Sequence, residues 1–432
     1  MTGPTVPRVS LREAAGVWAR IAALSFGGPA GQIAVMHRML VEERQWISDE
    51  RFLHALNFCL LLPGPEAQQL ATYIGWLMHG ARGGLLAGGL FILPGFLAIM
   101  ALSLLYVAWG ATTTLSGLFF GLKAAVLSIV AAAVWRLGGR TLKTTSQKAL
   151  ACLAFVGIFI FDAPFPALIV GAGLIGLIGS ARLSSLSAST VAKPAKGDKI
   201  SGRSLQPAAI CALLWLAPIA VLMKTLGPED IYVQIALFFS KMALVTFGGA
   251  YAALAYVAQE AVERFHWLNA AEMLDGLGMA ETTPGPLIMV LQFVGFLAAF
   301  RHPGALPPYL AGVIGGVLTA YVTFLPSFLL IFAGGPFVER LRGVPALTGA
   351  LSGIAAAVVG VIANLAAWFA IHFLFHDHWS PSPGLELPVF DSLDPAALAL
   401  SIVIAATLWR GAGLPAALLL GIGGGFFLRG LG

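Results

Sequence analysis

The sequence predicts an all-α polytopic membrane protein: two six-helix halves as an inverted repeat with broken helices, plus a connecting helix, about 13 helices in all. Composition is the first reason. The chain is 58% hydrophobic and 10% charged, with a mean hydropathy of +0.88, whereas a soluble chain carries roughly 25% charged residues. Apolar runs of about 20 residues follow one another, the length a helix needs to cross a bilayer. The runs are continuous rather than alternating, which excludes a membrane β-barrel. An internal repeat is the second reason. Phe26-Gly27-Gly28 returns as Phe247-Gly248-Gly249 (247 − 26 = 221), Trp46 as Trp267 and Pro63-Gly64-Pro65 as Pro284-Gly285-Pro286, all in one register. A second register, 232, relates Leu93-Pro94 to Leu325-Pro326 and Gly121 to Gly353. Loop charge is the third. Loop 136–148 carries Arg136, Arg140, Lys143 and Lys148 without an acid, and its counterpart 375–394 carries Asp377, Glu386, Asp391 and Asp394 without Lys or Arg. Basic loops stay on the cytoplasmic side, so equivalent loops fall on opposite sides and the repeat is inverted.

In chain order the expected crossings are 10–36, 52–80, 84–107, 112–135, 149–161, 164–180, 207–224, 231–258, 272–300, 308–333, 345–374, 395–409 and 413–430. Segments 149–161 and 395–409 are short for a full crossing and are expected to pair with their neighbours as partly inserted hairpins. Residues 1–180 form the N-terminal repeat, 181–206 a flexible cytoplasmic linker, 207–230 the connecting helix and 231–432 the C-terminal repeat. The linker is rich in Ser, Ala and Lys, with Arg182, Lys193, Lys196, Lys199 and Arg203 against Asp198; such composition cannot bury a core. The odd helix between the halves produces the inversion. Loop 258–272, placed inside, has three acids against Arg264, and acids weigh little in the charge rule. The N-terminus is polar through Arg12 and is placed in the cytoplasm; no cleavable signal peptide is expected.

The two Pro-Gly-Pro elements are the most informative local feature. Segments 52–62 and 65–79 give helices of about 16 and 22 Å, and neither spans a core of roughly 30 Å alone. Proline at 63 and 65 removes two N–H donors, while Gly64 permits an unusual turn. The helix should stop near Leu62 and restart at Pro65, with unpaired N–H groups and a partial positive charge facing the break. An anion is the natural partner for such a terminus. Matched broken helices in a repeat are also how many secondary transporters build a midplane site. A simple proline kink satisfied by neighbouring side chains is the plainer alternative. The glycines at 27, 28, 248 and 249 allow two readings, close helix packing or a second pair of interrupted helices; Pro29 favours a break, and Ala250 weakens the case in the second copy.

Ionisable groups inside spans are costly and point to function. Glu66 opens the restarted half-helix, with Gln68 and Gln69 beside it. As an anion it would compete with a bound anion for the same terminus, which would couple proton and anion movement. Glu281 precedes the other break, followed by Thr282 and Thr283, whose hydroxyls suit an oxyanion; Leu287 stands where Glu66 stands in the first copy. Arg20, Lys241 and Lys123 are the expected buried or half-buried cations, with Arg20 near enough to an end to snorkel. Arg38 and Arg44, in the polar 37–51 loop, allow two readings, attraction of anions or, more plainly, a solvated face. Cys59, Cys152 and Cys211 read as small buried hydrophobes. Cysteines and histidines make no metal set, no cofactor is expected, and no phosphate-loop or nucleophile motif marks an enzyme. The net charge of +5 reflects basic loops, not a nucleic-acid surface.

The segments Leu24-Ser25-Phe26-Gly27-Gly28-Pro29 and Leu61-Leu62-Pro63-Gly64-Pro65-Glu66-Ala67-Gln68-Gln69-Leu70, with Phe247-Gly248-Gly249-Ala250-Tyr251 and Thr283-Pro284-Gly285-Pro286, resemble the chromate ion transporter family in its long, two-domain form. The resemblance covers nearly the whole chain. It implies an inner-membrane carrier that exports chromate, driven by the proton gradient, and confers chromate resistance. The implied partners are chromate or a sulfate-like oxyanion, protons and the lipid bilayer; a homodimer is left open. Phe-Gly-Gly and Pro-Gly-Pro carry over position by position, and Glu66 fits a Pro-Gly-Pro-Glu-Ala-Gln-Gln variant of the motif. The alternatives are a carrier of sulfate or another oxyanion, an anion channel, and a membrane protein that moves no anion, such as a lipid flippase or scaffold.

Overall fold

The computed structural model describes residues 9–110, 112–186, 202–247, 249–337, 345–382 and 385–429. They form sixteen α-helices: α1 Leu11–Leu24, α2 Gly28–His37, α3 Asp49–Cys59, α4 Glu66–Trp109, α5 Thr113–Thr141, α6 Thr145–Phe161, α7 Phe165–Leu186, α8 Gly202–Leu226, α9 Ile231–Val245, α10 Ala250–Ala258, α11 Ala270–Thr282, α12 Val290–Arg301, α13 Pro308–Gly334, α14 Pro345–Leu374, α15 Pro395–Trp409 and α16 Leu414–Arg429. An all-α polytopic membrane protein is therefore the fold. Five helical segments among the described residues are long and apolar enough to cross a membrane, in α4, α5, α8, α13 and α14. The excess of three over 13 comes from the breaks: the second Pro-Gly-Pro separates α11 from α12, and Phe-Gly-Gly interrupts the helix in both copies, separating α1 from α2 and α9 from α10. Of the two readings for those glycines, interruption is what the backbone adopts. The expected gap near residue 80 is present within α4: His79 (φ −138, ψ 22) and Gly80 (φ 62, ψ −156) are not helical, so two helices meet there across a kink.

Local chemistry places the ends. Ser10 caps α1 by accepting from the Glu13 N–H at 3.2 Å, Ser48 caps α3, and Thr144 with Gln147 forms a capping box on α6, each satisfying a first-turn donor. The 375–394 loop is not plain coil: β1 His378–Ser382 pairs antiparallel with β2 Leu385–Pro388. The linker expected over 181–206 is helical at both ends, through Leu186 and from Gly202; its middle, 187–201, lies outside the described residues, as does Gly248. Cys59 and Cys211 are buried as expected, but Cys152 is exposed.

The chain packs as two compact units, and each takes residues from both sequence halves. The first contains residues up to 103, 193–250 and 283–342. Its core gathers Trp18, Phe52, Phe58, Phe91 and Phe332, and α13 lies against α8, α9 and α12. The second contains 104–192, 251–282 and 343–432. There α14 packs on α5, α6 and α7, and α5 packs on α11, α15 and α16. Small residues allow that approach: a Cβ added to Gly121 of α5 would lie 1.8 Å from the Gly421 carbonyl of α16, a backbone contact only glycine permits.

The 221-residue repeat is visible in backbone detail. A π-helical turn follows α2 at Arg38–Glu43 and another follows α10 at Gln259–Arg264. Each is closed by a residue in the left-handed region, Gln45 (φ 53) and His266 (φ 51). Next, Trp46 N–H donates to the Leu40 carbonyl at 2.8 Å and Trp267 N–H to the Ala261 carbonyl at 2.9 Å. Every one of these pairs has the offset of the sequence repeat.

Candidate functional site

The site lies in the first unit and begins with two hydroxyls. Ser25 and Thr246, a repeat-matched pair, each donate to the carbonyl four residues earlier, Ile21 and Met242, both at 2.7 Å. This back-bonding competes with helix continuation, and the glycines that follow turn the chain: Gly27 (φ 83), Gly28 (φ 71) and Gly249 (φ 94) all take positive φ. The Pro-Gly-Pro elements do the same through Gly64 (φ 118) and Gly285 (φ 102).

The breaks then join across the repeat. Gly64 N–H donates to the Thr246 carbonyl at 2.9 Å, and Gly285 N–H donates to the Ser25 carbonyl at 2.9 Å. The Pro-Gly-Pro of each copy is thus tied to the Phe-Gly-Gly of the other by one equivalent hydrogen bond. Four interrupted helices would leave many backbone groups unpaired in lipid, and this exchange satisfies two donors and two acceptors. Glutamines satisfy more. Gln32 Nε2 donates to the Gly285 carbonyl at 2.6 Å and Gln69 Nε2 to the Pro63 carbonyl at 2.7 Å. Gln68 Nε2 donates to Thr72 Oγ1 at 2.9 Å, and Gln292 Nε2 to the Phe96 carbonyl at 3.0 Å. These four amides are buried.

Around the first break, a Cβ at Gly64 would meet Gln69 Nε2 and Ser327 Oγ, each at 2.9 Å. Glu66, half-buried at the first position of α4, sets Oε1 3.5 Å from where a Cβ on Gly249 would be. Gln68 Oε1, Gln69 Oε1, Gln292 Oε1 and Thr323 Oγ1 are buried without a hydrogen-bond partner. Around the second break, Gly285 lies on the backbone of Gly95, whose Cα and N would be 3.1 and 3.2 Å from an added Cβ. Pro65, buried, directly precedes α4 as its helix-start position requires. Thr283 is buried in this unit, while Thr282, in the second unit, turns its hydroxyl to the Met279 carbonyl at 2.8 Å.

The cations differ from expectation. Arg20 and Lys241 are both exposed, on one matched outer position of α1 and α9, and no lysine or arginine is buried among the described residues. Long aliphatic stems make such an outward position affordable where a buried, unpaired charge would not be. Lys123 is half-buried, but it belongs to the second unit and pairs there with Asp275 at 3.1 Å; Tyr106 OH donates to the other Asp275 oxygen at 3.0 Å. Glu281, also in the second unit, is buried. It accepts from Tyr251 OH at 2.8 Å, and its Oε2 has no partner.

Several of these residues escaped the sequence reading. The matched hydroxyls Ser25 and Thr246 carried a signal, since both precede Phe-Gly-Gly at the repeat offset. Gln32 and Gln292 carried none, their first-register matches being Ala253 and Ala71, whereas Ser327 matches Gly95 in the second register (327 − 232 = 95), the residue that faces Gly285.

The profile of the chromate transporter family matches residues 12–177 and 233–428, both halves of the chain. The chain is 29% identical over 359 residues to a chromate transport protein of Cupriavidus metallidurans, covering 83% of this chain and 82% of that one. It is 35% identical over 351 residues to a chromate transport protein of Pseudomonas aeruginosa, covering 78% and 76%. An uncharacterized transporter of Methanocaldococcus jannaschii is 22% identical over 352 residues, covering 82% of each. No solved structure matches. Across both repeats and both pairs of breaks, this chain belongs to the chromate transporter family.

Proposed function

We propose that this chain is a secondary active carrier that exports chromate across the inner membrane in exchange for protons, and so confers chromate resistance. The reciprocal bonds Gly64 to Thr246 and Gly285 to Ser25 carry this reading. They hold four interrupted helices together at matched positions, and interrupted helices in a repeat are where carriers bind small ions. The oxyanion sits at the half-helix starts after Pro65 and Pro286. First-turn N–H groups, the second amide hydrogen of Gln69 and the Ser327 hydroxyl supply the donors. Charge is balanced by oriented dipoles rather than by a buried cation, as at other helix-start anion sites.

Glu66 supplies the coupling. Ionised, it occupies the α4 start and repels the anion; protonated, it admits the anion and donates toward the unpaired glutamine oxygens. Glu281 with Tyr251 is the second proton site. The two halves, an inverted repeat, rock to expose the site alternately.

Chromate uptake into inside-out vesicles, with and without an imposed pH gradient and with sulfate as competitor, tests this. Saturable uptake that follows the gradient is the expected result. Uptake of sulfate but not chromate changes the substrate and keeps the mechanism. Flux that neither saturates nor responds to the gradient identifies a channel.

A further inference from the structure

The second unit contains a basic cavity that the carrier reading does not use. It holds about 300 Å³ and is lined by Lys123, Arg429, His376, His378, Ser116 and Asp394, among others. At roughly 30 Å³ per water, it has room for one small ion with part of its hydration shell. Both cations are pinned with donors to spare. Lys123 Nζ lies 3.1 Å from Asp275 Oδ1 as an ion pair. Arg429 pairs with Asp394 through Nη2, and its guanidinium carbon lies 4.2 Å from the centre of the Phe120 ring. One edge and one face of the guanidinium are thus fixed, which leaves its other N–H groups oriented.

The carboxylates are themselves occupied. Asp394 caps α15 through the Ala396 and Ala397 N–H groups at 2.9 and 3.0 Å, and Asp275 accepts from Tyr106. Each acid is held back by other donors, so the cations keep hydrogen-bonding capacity toward the cavity. The histidines are turned to the backbone: His376 Nδ1 donates to the Ser392 carbonyl at 3.0 Å and His378 Nε2 to the Ile371 carbonyl at 3.3 Å, so the other nitrogen of each neutral ring is an acceptor and the donors toward the cavity are those of the two cations.

We propose that this cavity is a second binding site, for a small tetrahedral oxyanion, with Lys123 and Arg429 as its charged ligands. Charge-assisted bonds from a fixed guanidinium and an ammonium suit such an anion. The site is independent of the one in the first unit and does not require it to bind anything.

Equilibrium dialysis of chromate against the purified full-length protein, in neutral detergent, tests the assignment. The variants are Arg429→Gln; Lys123→Met combined with Asp275→Asn, which removes the ion pair as a unit; and Ser116→Phe, which fills the cavity with both ion pairs kept. A monodisperse elution profile verifies the fold of each. All three are expected to weaken one class of chromate binding at least tenfold, while Gly64→Val, which disrupts the first unit's site, leaves that class intact. Chromate binding unchanged in Arg429→Gln and Ser116→Phe overturns the proposal, as does binding that only Gly64→Val abolishes. A surviving Arg429-dependent class without any transport leaves this site standing and removes the carrier reading.

Discussion

The two Pro-Gly-Pro breaks share a backbone and differ in chemistry. After the first, the chain restarts directly as α-helix with Glu66, Gln68 and Gln69 in its opening turn. After the second it restarts as a 3₁₀ turn of Leu287, Ile288 and Met289, all buried. Gly64 turns beneath side chains, Gln69 and Ser327, whereas Gly285 turns against the backbone of Gly95. The repeat therefore conserves the geometry that opens a helix in lipid, while the groups available to a ligand concentrate at the first break. A polar opening turn leaves donors and acceptors to exchange, and an apolar one seals its end of the unit.

The comparison can be broken at the glycines, where the largest effects lie. Gly285→Ala must push a Cβ against Gly95 at φ 102, with only backbone to give way. Gly64→Ala meets side-chain ends at φ 118. Each pays about 1–3 kcal/mol of backbone strain, and the contact adds more for Gly285→Ala. We expect Gly285→Ala to lose thermal stability and expression, and Gly64→Ala to retain the fold with impaired transport. Equal melting temperatures for the two would erase the distinction.

Glutamine comes next. Gln69→Leu strands the Pro63 carbonyl, a cost of about 1–3 kcal/mol, whereas Val290, its match in the second copy, has no such duty; Val290→Leu is expected to leave vesicle transport near wild type while Gln69→Leu abolishes most of it. In the second unit, Tyr251→Phe leaves both Glu281 oxygens without a donor. The matched residues in the first copy are Ala30 and Leu60, so this defect has no counterpart there. A shift in the pH profile of transport, absent from an Ala30→Gly control, is the expected readout.

The smallest effect concerns His37, outside the spans, whose match is Ala258. Its ring contacts Asp49 at 2.6 Å and Glu42 at 3.1 Å. The bond to Asp49, aided by Glu42 and opposed by partial burial, raises its pKa above 6.5. A raised histidine pKa stabilises the folded state fully below the unfolded value, and the contribution fades as pH climbs through the folded value. Hydrogen exchange at the α2 end should therefore quicken from pH 6 to pH 8, and less so in His37→Gln; the π-helical turn after α10 should show no such change.

Much of this architecture was legible. Proline, glycine and a constant offset located the two Pro-Gly-Pro breaks, because helix interruption follows from the missing donor of proline and the freedom of glycine; at Phe-Gly-Gly they left close packing and interruption both open. Failures came where a decision rests on which way a side chain points. Arg20 and Lys241 share the repeat register, but register says nothing about which face of α1 or α9 they occupy, and they turn outward. Lys123 needed Asp275, 152 residues on (275 − 123), to be understood. The crossed hydrogen bonds between breaks are likewise long-range, and only their hydroxyl markers at Ser25 and Thr246 are written locally. The hairpin at 378–388 was hidden in a loop read by charge alone.

The matched π-helical turns act as spacers. A π turn is an α-helix carrying one extra residue, and this one recurs after α2 and α10 with its left-handed closing residue although the side chains there, Gln45 and His266, differ. Since the side chains differ and the geometry does not, the extra residue sets the spacing of the backbone between Phe-Gly-Gly and Pro-Gly-Pro identically in the two copies.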